Sequence, residues 1–494
     1  MKSEQTSYRQ IIKATSLFGG VQVFRIIIMI IRSKFIAVLL GPLGMGISGL
    51  LTSTTSFIGA LTNFGLGTSA VRDIAAAYGS GDKERVSIVV TVLRRLIWIT
   101  GLLGMLITIV LAPWLSQITF GNKDYTLAFI LISITLLLKQ ISSGQSVLLQ
   151  GMRQIKLMAK SGMIGSLLGL FTTVPLYYFY GIDGIVPAII ITSVTTLLLT
   201  WYFANKLKVK AVQVTKAQTI AEGKGMLQMG FMISLSGLIT LGASYIVRIF
   251  ISNTGGIEEV GLYNAGFAFI NTYVGLVFTA MGTDYYPRLS AVAHDNIKCK
   301  EIINQQAEVA LLILGPIIAG FIIFIHWVII LLYSNKFIAI DEMINYAALG
   351  TLFKAASWSI AFVFLAKGNS KLFFGNEFIT NIYLLGFNIL GYHLGGLTGL
   401  GISFLAAYIV YLIQVFFVSK FMFQFNFDSA FIKIFFFQLV CSVAAFILIK
   451  FVGGTLAYLF GSLVIIISAV FSFYELDKRI GLKVILQNLI QGLR

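Results

Sequence analysis

Long apolar runs alternate with short polar or basic segments along the whole chain. Crossing ~30 Å of hydrocarbon takes about 20 apolar residues. Runs of that length lie near Ile11–Leu40, Met45–Arg72, Val86–Leu111, Asp124–Leu149, Ser161–Tyr180 and Gly184–Phe203. A basic connector follows, and further runs lie near Met226–Ile251, Gly261–Asp284, Val309–Tyr333, Met343–Ala366, Leu372–Leu394 and Gly399–Phe421. Two more lie near Phe431–Phe451 and Leu456–Tyr474. The pattern predicts an all-α polytopic membrane protein of about fourteen transmembrane helices.

Composition agrees. Of 494 residues, 57% are hydrophobic and only 11% charged, against about 25% charged in a soluble domain. Lipid must therefore be much of the solvent. A net charge of +17 first suggests nucleic acid, but the charges sit in loops between apolar runs. With the N-terminus inside, the cytoplasmic segments carry Arg72, Arg85, Arg94, Arg95, Arg153, Lys206, Lys208, Lys210, Arg288 and many more. The outside loops carry Lys123 and Lys336 alone. This bias predicts a multi-pass membrane protein with both termini cytoplasmic and no role for nucleic acid. Cys299 falls in an inside loop and Cys441 within a helix, so no disulfide is expected.

The two halves match at an offset of 215 residues. Gly46 pairs with Gly261, Lys139 with Lys354, Ser142 with Ser357, Lys156 with Lys371, Gly181 with Gly396 and Gly184 with Gly399. This predicts two pseudo-symmetric six-helix lobes as a parallel repeat, 1–205 and 225–422, joined by a basic connector at 206–224. Two extra helices would occupy 423–475, and a cytoplasmic amphipathic tail 476–494. Lobes duplicated in this way suit alternating access around a central cavity.

Charges inside a membrane are costly and mark function. Arg25, Arg32, Lys139, Arg248 and Lys354 lie well inside predicted spans, which makes them candidates for a cationic substrate cavity. Acids are too few to neutralise them one for one, so an anionic substrate would supply the counter-charge. Gln22 shares a helix face with the two arginines. Asn63, Ser244, Asn264, Asn271, Asn381 and Asn388 are expected to line the cavity as well. Asp284 and Glu377 are the candidates for coupling transport to an ion. No metal site or cofactor is expected. P-loop, H-E-x-x-H, C-x-x-C and G-x-S-x-G motifs are absent, and no outside loop is long enough for a catalytic domain.

The segment Leu40 to Ala75, LGPLGMGISGLLTSTTSFIGALTNFGLGTSAVRDIA, resembles the first two spans of polysaccharide flippases. These are the Wzx-type members of the multidrug/oligosaccharidyl-lipid/polysaccharide exporter superfamily. Gly41, Pro42, Gly44 and Gly46 match the family's turn, and Gly65, Leu66, Ala70 and Arg72 its ending. GGIEEVGLYNAGFAF repeats the theme through Val260, Gly261, Tyr263 and Ala265. The layout of six, six and two helices also resembles the family, so the likeness covers nearly the whole chain. It implies an O-antigen-type flippase, a transporter and not an enzyme, that moves undecaprenyl-diphosphate-linked oligosaccharide from the cytoplasmic to the outer leaflet. Membrane lipids are its surroundings, H+ or Na+ its candidate coupling ions, and a polymerase of the same pathway a candidate partner. Arg248 departs from the family pattern, where an acidic residue is common, which leaves the coupling ion open. Competing readings are a lipid II flippase, a multidrug exporter of the same superfamily, and a membrane glycan polymerase or ligase.

Overall fold

The computed structural model describes residues 24–480, apart from Ala211. The described residues are helical nearly throughout and form no strand. They divide into two compact units between Gly261 and Leu262.

Unit 1 opens with α1, described over 24–39. Next come α2 (Gly41–Thr62), α3 (Leu66–Gly79), α4 (Lys83–Phe120), α5 (Thr126–Gly151), α6 (Ile155–Tyr180), α7 (Ile185–Asn205) and α8 (Lys216–Thr254). The local causes are visible. Pro42 sits in the first turn of α2, where its missing N–H is no loss. Asp82 caps α4 by accepting from the Arg85 N–H, and Thr215 caps α8 by accepting from Gln218. The second half of the expected 206–224 connector is thus the first part of α8. Leu66, Ile74, Val89, Leu93, Val147, Leu148, Phe203 and Met226 build the core of this unit.

Close helix crossings in unit 1 fall on glycines. Gly46 and Gly261, paired by the repeat, meet where α2 crosses α9 (Ile257–Ala268). A Cβ on Gly261 would stand 2.9 Å from the Gly46 backbone nitrogen. Small residues let helices approach in lipid, where packing replaces the hydrophobic drive between them.

Unit 2 continues from α9 through a π-helical turn at Phe269–Val274 into α10 (Gly275–Ala291). It then runs through α11 (Asn296–Leu332), α12 (Asp341–Ala366), α13 (Ser370–Phe423), α14 (Ser429–Ile447) and α15 (Gly454–Ile480). Its core joins Leu311, Leu314 and Ile318 of α11 to Ala348, Leu352 and Ala355 of α12 and Phe431, Ile434 and Phe435 of α14. Polar bonds fasten α15. Ser468 donates to Gln438 at 2.6 Å, and Gln438 donates to Ser472 at 2.8 Å. Arg479 donates to Glu308 at 2.7 Å and pairs with Glu475.

Ten helical segments among the described residues are long and apolar enough to cross a membrane. Two are doubles: Ile155–Asn205 holds α6 and α7, and Ser370–Phe423 bends at Gly395 and Gly396 into two limbs. With α1 and the α2–α3 pair the helical passes number fourteen, as expected, although α1 is described only from residue 24 and neither it nor the α2–α3 pair is among the ten. Bulky apolar side chains such as Val110, Leu331 and Phe421 stand 72–80% exposed, an arrangement that only lipid contact makes favourable. Most of the expected tail at 476–494 lies outside the described residues.

Candidate functional site

Arg25 and Arg32 lie two turns apart on α1 and therefore share a face. Both line a cavity of about 320 Å³ within unit 1, enclosed with α5, α6 and α7. The opposite walls are unusually polar for a membrane helix bundle. Gly162, Gly165 and Gly169, at helical spacing, give α6 a shallow face there, with Ser161 and Ser166 beside them. The Arg25 side chain passes over Gly162. From α7, Thr192, Thr196 and Thr200 stand four residues apart and form a ladder.

Hydrogen bonding sets the polarity of that ladder. Each threonine hydroxyl donates to the carbonyl four residues back: Thr192 to Ala188, Thr196 to Thr192 and Thr200 to Thr196, at 2.7–2.9 Å. Ser166 does the same to Gly162. With their hydrogens committed, the oxygens of Thr192, Thr196 and Ser166 face the cavity as acceptors, while buried Thr200 already accepts from the Ser142 hydroxyl at 3.0 Å. The arginines face it as donors. Arg32 lies by the Tyr177 hydroxyl, while its buried Nε has no hydrogen-bond partner among the described residues. The cavity can hold an anion against the guanidinium groups and a donor-rich group, such as a sugar, against the ladder.

The other sequence candidates are placed as follows. Gln22 lies outside the described residues. Asn63 accepts from the Gly65 N–H at 2.7 Å and shapes the break between α2 and α3. Lys139 is exposed on α5 and does not line the arginine cavity. Arg248 is half-buried and donates to both the carbonyl and the hydroxyl of Ser244 on its own helix.

In unit 2, Lys354 is half-buried among aromatic faces. Its ammonium lies 5.3 Å from the Tyr408 ring centre, 5.7 Å from Phe404 and 5.8 Å from Phe278. Asn264 is half-buried and Asn271 exposed. Asp284 is exposed and paired with Arg288 one turn on, at 3.2 Å.

Glu377 is half-buried and belongs to a polar network between the two limbs of α13. It accepts from the Tyr411 hydroxyl at 3.3 Å. Gln414 donates to the Asn376 side chain at 2.7 Å, and Asn381 donates back to the Glu377 carbonyl. Asn388 is buried farther along.

The sequence reading missed the threonine ladder, although its four-residue spacing was available. It also missed Asn376, Tyr411 and Gln414, and the rings around Lys354. Those groups come from residues far apart in the chain.

The helical fold and the relatives together place the chain among polytopic transporters of the multidrug/oligosaccharidyl-lipid/polysaccharide exporter type. Residues 35–342 match the family model described as "Polysaccharide biosynthesis protein", and the chain belongs to that family. It is 22% identical to the lipid III flippase of Escherichia coli (strain K12) over 387 residues, which are 76% of this chain and 90% of that protein. It is 24% identical to a putative O-antigen transporter of Shigella flexneri over 378 residues, 75% of this chain and 88% of that one. Among solved structures, the lipid II flippase MurJ in an inward closed conformation superposes with a TM-score of 0.72. That match has 13% identity and covers 94% of this chain and 99% of the other.

Proposed function

We propose that this chain is a flippase for undecaprenyl-diphosphate-linked oligosaccharide. It would move the headgroup from the cytoplasmic to the outer leaflet of the bacterial inner membrane, with both termini in the cytoplasm. The observation that carries this reading is the Arg25–Arg32 cavity. A diphosphate offers acceptor oxygens and negative charge, which guanidinium groups meet with charge-assisted bonds. Sugar hydroxyls donate, and the threonine ladder accepts. A multidrug exporter that binds organic cations would instead place carboxylates in such a cavity. The names of the E. coli and Shigella relatives support the same substrate class.

The lobes 1–205 and 225–422 alternate their access to the two sides, and Lys139, Arg248 and Lys354 act as further cations along the route. The aromatic faces around Lys354 stabilise its charge when no anion is near. Glu377 is the coupling group for H+ or Na+, being shielded and hydrogen-bonded. Asp284 suits that role less, since it is exposed and already paired.

The test is surface-glycan export in a strain lacking the gene. R25Q combined with R32Q is expected to reduce export roughly ten- to a hundredfold, the effect of losing charge-assisted hydrogen bonds. R25K combined with R32K would keep part of it. Wild-type export by the double glutamine variant, at equal membrane abundance, overturns the assignment of this cavity.

A further inference from the structure

Unit 1 carries a second, larger cavity of about 590 Å³ on the other side of the α5–α7 pair. Thr196 and Thr200 face the arginine cavity, whereas Leu197, Leu198 and Trp201 of the same helix face this one. Its walls are chiefly leucine and isoleucine from α4, α5 and α7. Arg94 enters it from α4. Arg94 is half-buried and makes no hydrogen bond or ion pair with a described residue. Its neighbours along that end of the unit are engaged: Arg95 donates to the Val214 carbonyl and to Thr219, and Arg85 pairs with Glu222. Trp98 and Trp201 flank the opening, 51% and 52% exposed.

We infer that this groove is a binding site for an anionic glycerophospholipid of the cytoplasmic leaflet, with Arg94 on its phosphate and the acyl chains along the leucine wall. Five observations converge on that occupant. The groove is apolar along its length, as acyl chains require. One uncompensated guanidinium at one end matches one phosphate group. The polar partners besides Arg94 are Gln145 and Asn205, too few for an oligosaccharide headgroup. The end of α7 beside the groove runs into Lys206, Lys208 and Lys210, the basic signature of the cytoplasmic side, where anionic lipid headgroups lie. Half-exposed tryptophans are the side chains expected at that depth. The site does not rest on the transport reading, because lipid occupancy is measured without substrate.

The full chain, reconstituted in phosphatidylcholine vesicles, carries tryptophans that acyl-brominated lipids quench on contact. Brominated phosphatidylglycerol is expected to reach half-maximal quenching at a lipid fraction about fivefold lower than brominated phosphatidylcholine, the effect of one basic residue facing an anionic headgroup. W98F combined with W201F should remove most of the difference, and R94Q should bring the two midpoints together. Equal midpoints in the unaltered protein overturn the site and need no variant to interpret. So does a preference that survives R94Q. Displacement of brominated phosphatidylglycerol by a polyprenyl diphosphate overturns it too, since the groove would then belong to the transported lipid.

Discussion

Gly181 and Gly396 hold the same rare backbone conformation 215 residues apart: φ 54° and ψ −128° at the first, φ 55° and ψ −137° at the second. Each sits at the turn between two membrane helices of its own unit. The repeat read from glycine and lysine positions is thus present in dihedral angles. This region of φ/ψ space is closed to residues with a Cβ except under strain.

G181A and G396A are therefore each expected to destabilise the protein by about 1–3 kcal/mol through backbone strain alone. No neighbour within 4 Å would meet the added methyl at either position. G59A, inside α2 and equally uncrowded, is the control and should be neutral or slightly stabilising. Thermal unfolding of purified protein in detergent reads all three. Equal behaviour of the three variants would contradict the strain argument.

The threonine ladder should recognise the glycan and not the anion. T196V keeps the shape of the side chain and removes its acceptor oxygen. It is expected to weaken binding of a glycan-bearing polyprenyl diphosphate by about two- to tenfold, the range for one neutral hydrogen bond. Binding of polyprenyl diphosphate without glycan should be unchanged. A parallel titration of the two ligands decides it, and an equal loss for both would place the ladder outside sugar recognition.

Lys354 and Tyr408 should be energetically coupled. A double-mutant cycle with K354M and Y408L is expected to give a coupling of about 0.5–2 kcal/mol, as for a cation held on an aromatic face away from water. Additive effects on unfolding would mean that the rings only pack against the lysine stem.

Stability should fall in acid through Glu222. The Arg85 guanidinium, hydrogen-bonded to it, holds this carboxyl below its ordinary value of 4.5. A carboxylate with a depressed folded-state pKa contributes stability that is fully present above the unfolded value. That contribution is lost as pH falls below about 4.5 and through the folded value. E222Q should remove this acid-dependent component, seen as a flatter profile of melting temperature against pH. An unchanged profile would show that the Arg85–Glu222 pair is energetically silent, as exposed pairs often are.

The number of spans, their apolar faces and the internal repeat were legible in the chain itself. A membrane helix must satisfy its own backbone and be about 20 apolar residues long, so hydropathy alone marks it. Arg25 and Arg32 were legible for the same reason, because seven residues on one helix define a shared face. Lys139 and Lys354 looked like equivalents by offset, yet one is exposed and the other is surrounded by rings. Those rings come from α10 and α13, and no periodicity within α12 announces them.

What the sequence determined by itself was therefore local and periodic: helices, turns, glycine positions and the charge bias of the loops. Tertiary structure decided which polar groups meet. It placed the arginines of α1 opposite the hydroxyls of α7. It joined Glu377 to Tyr411 and left Arg94 in an apolar groove without a hydrogen-bond or ion-pair partner among the described residues. The physical reason is one of range. Helix formation in lipid is set by residues within one turn, whereas a binding cavity is set by side chains from different helices, whose spacing along the chain carries no information about their distance in space.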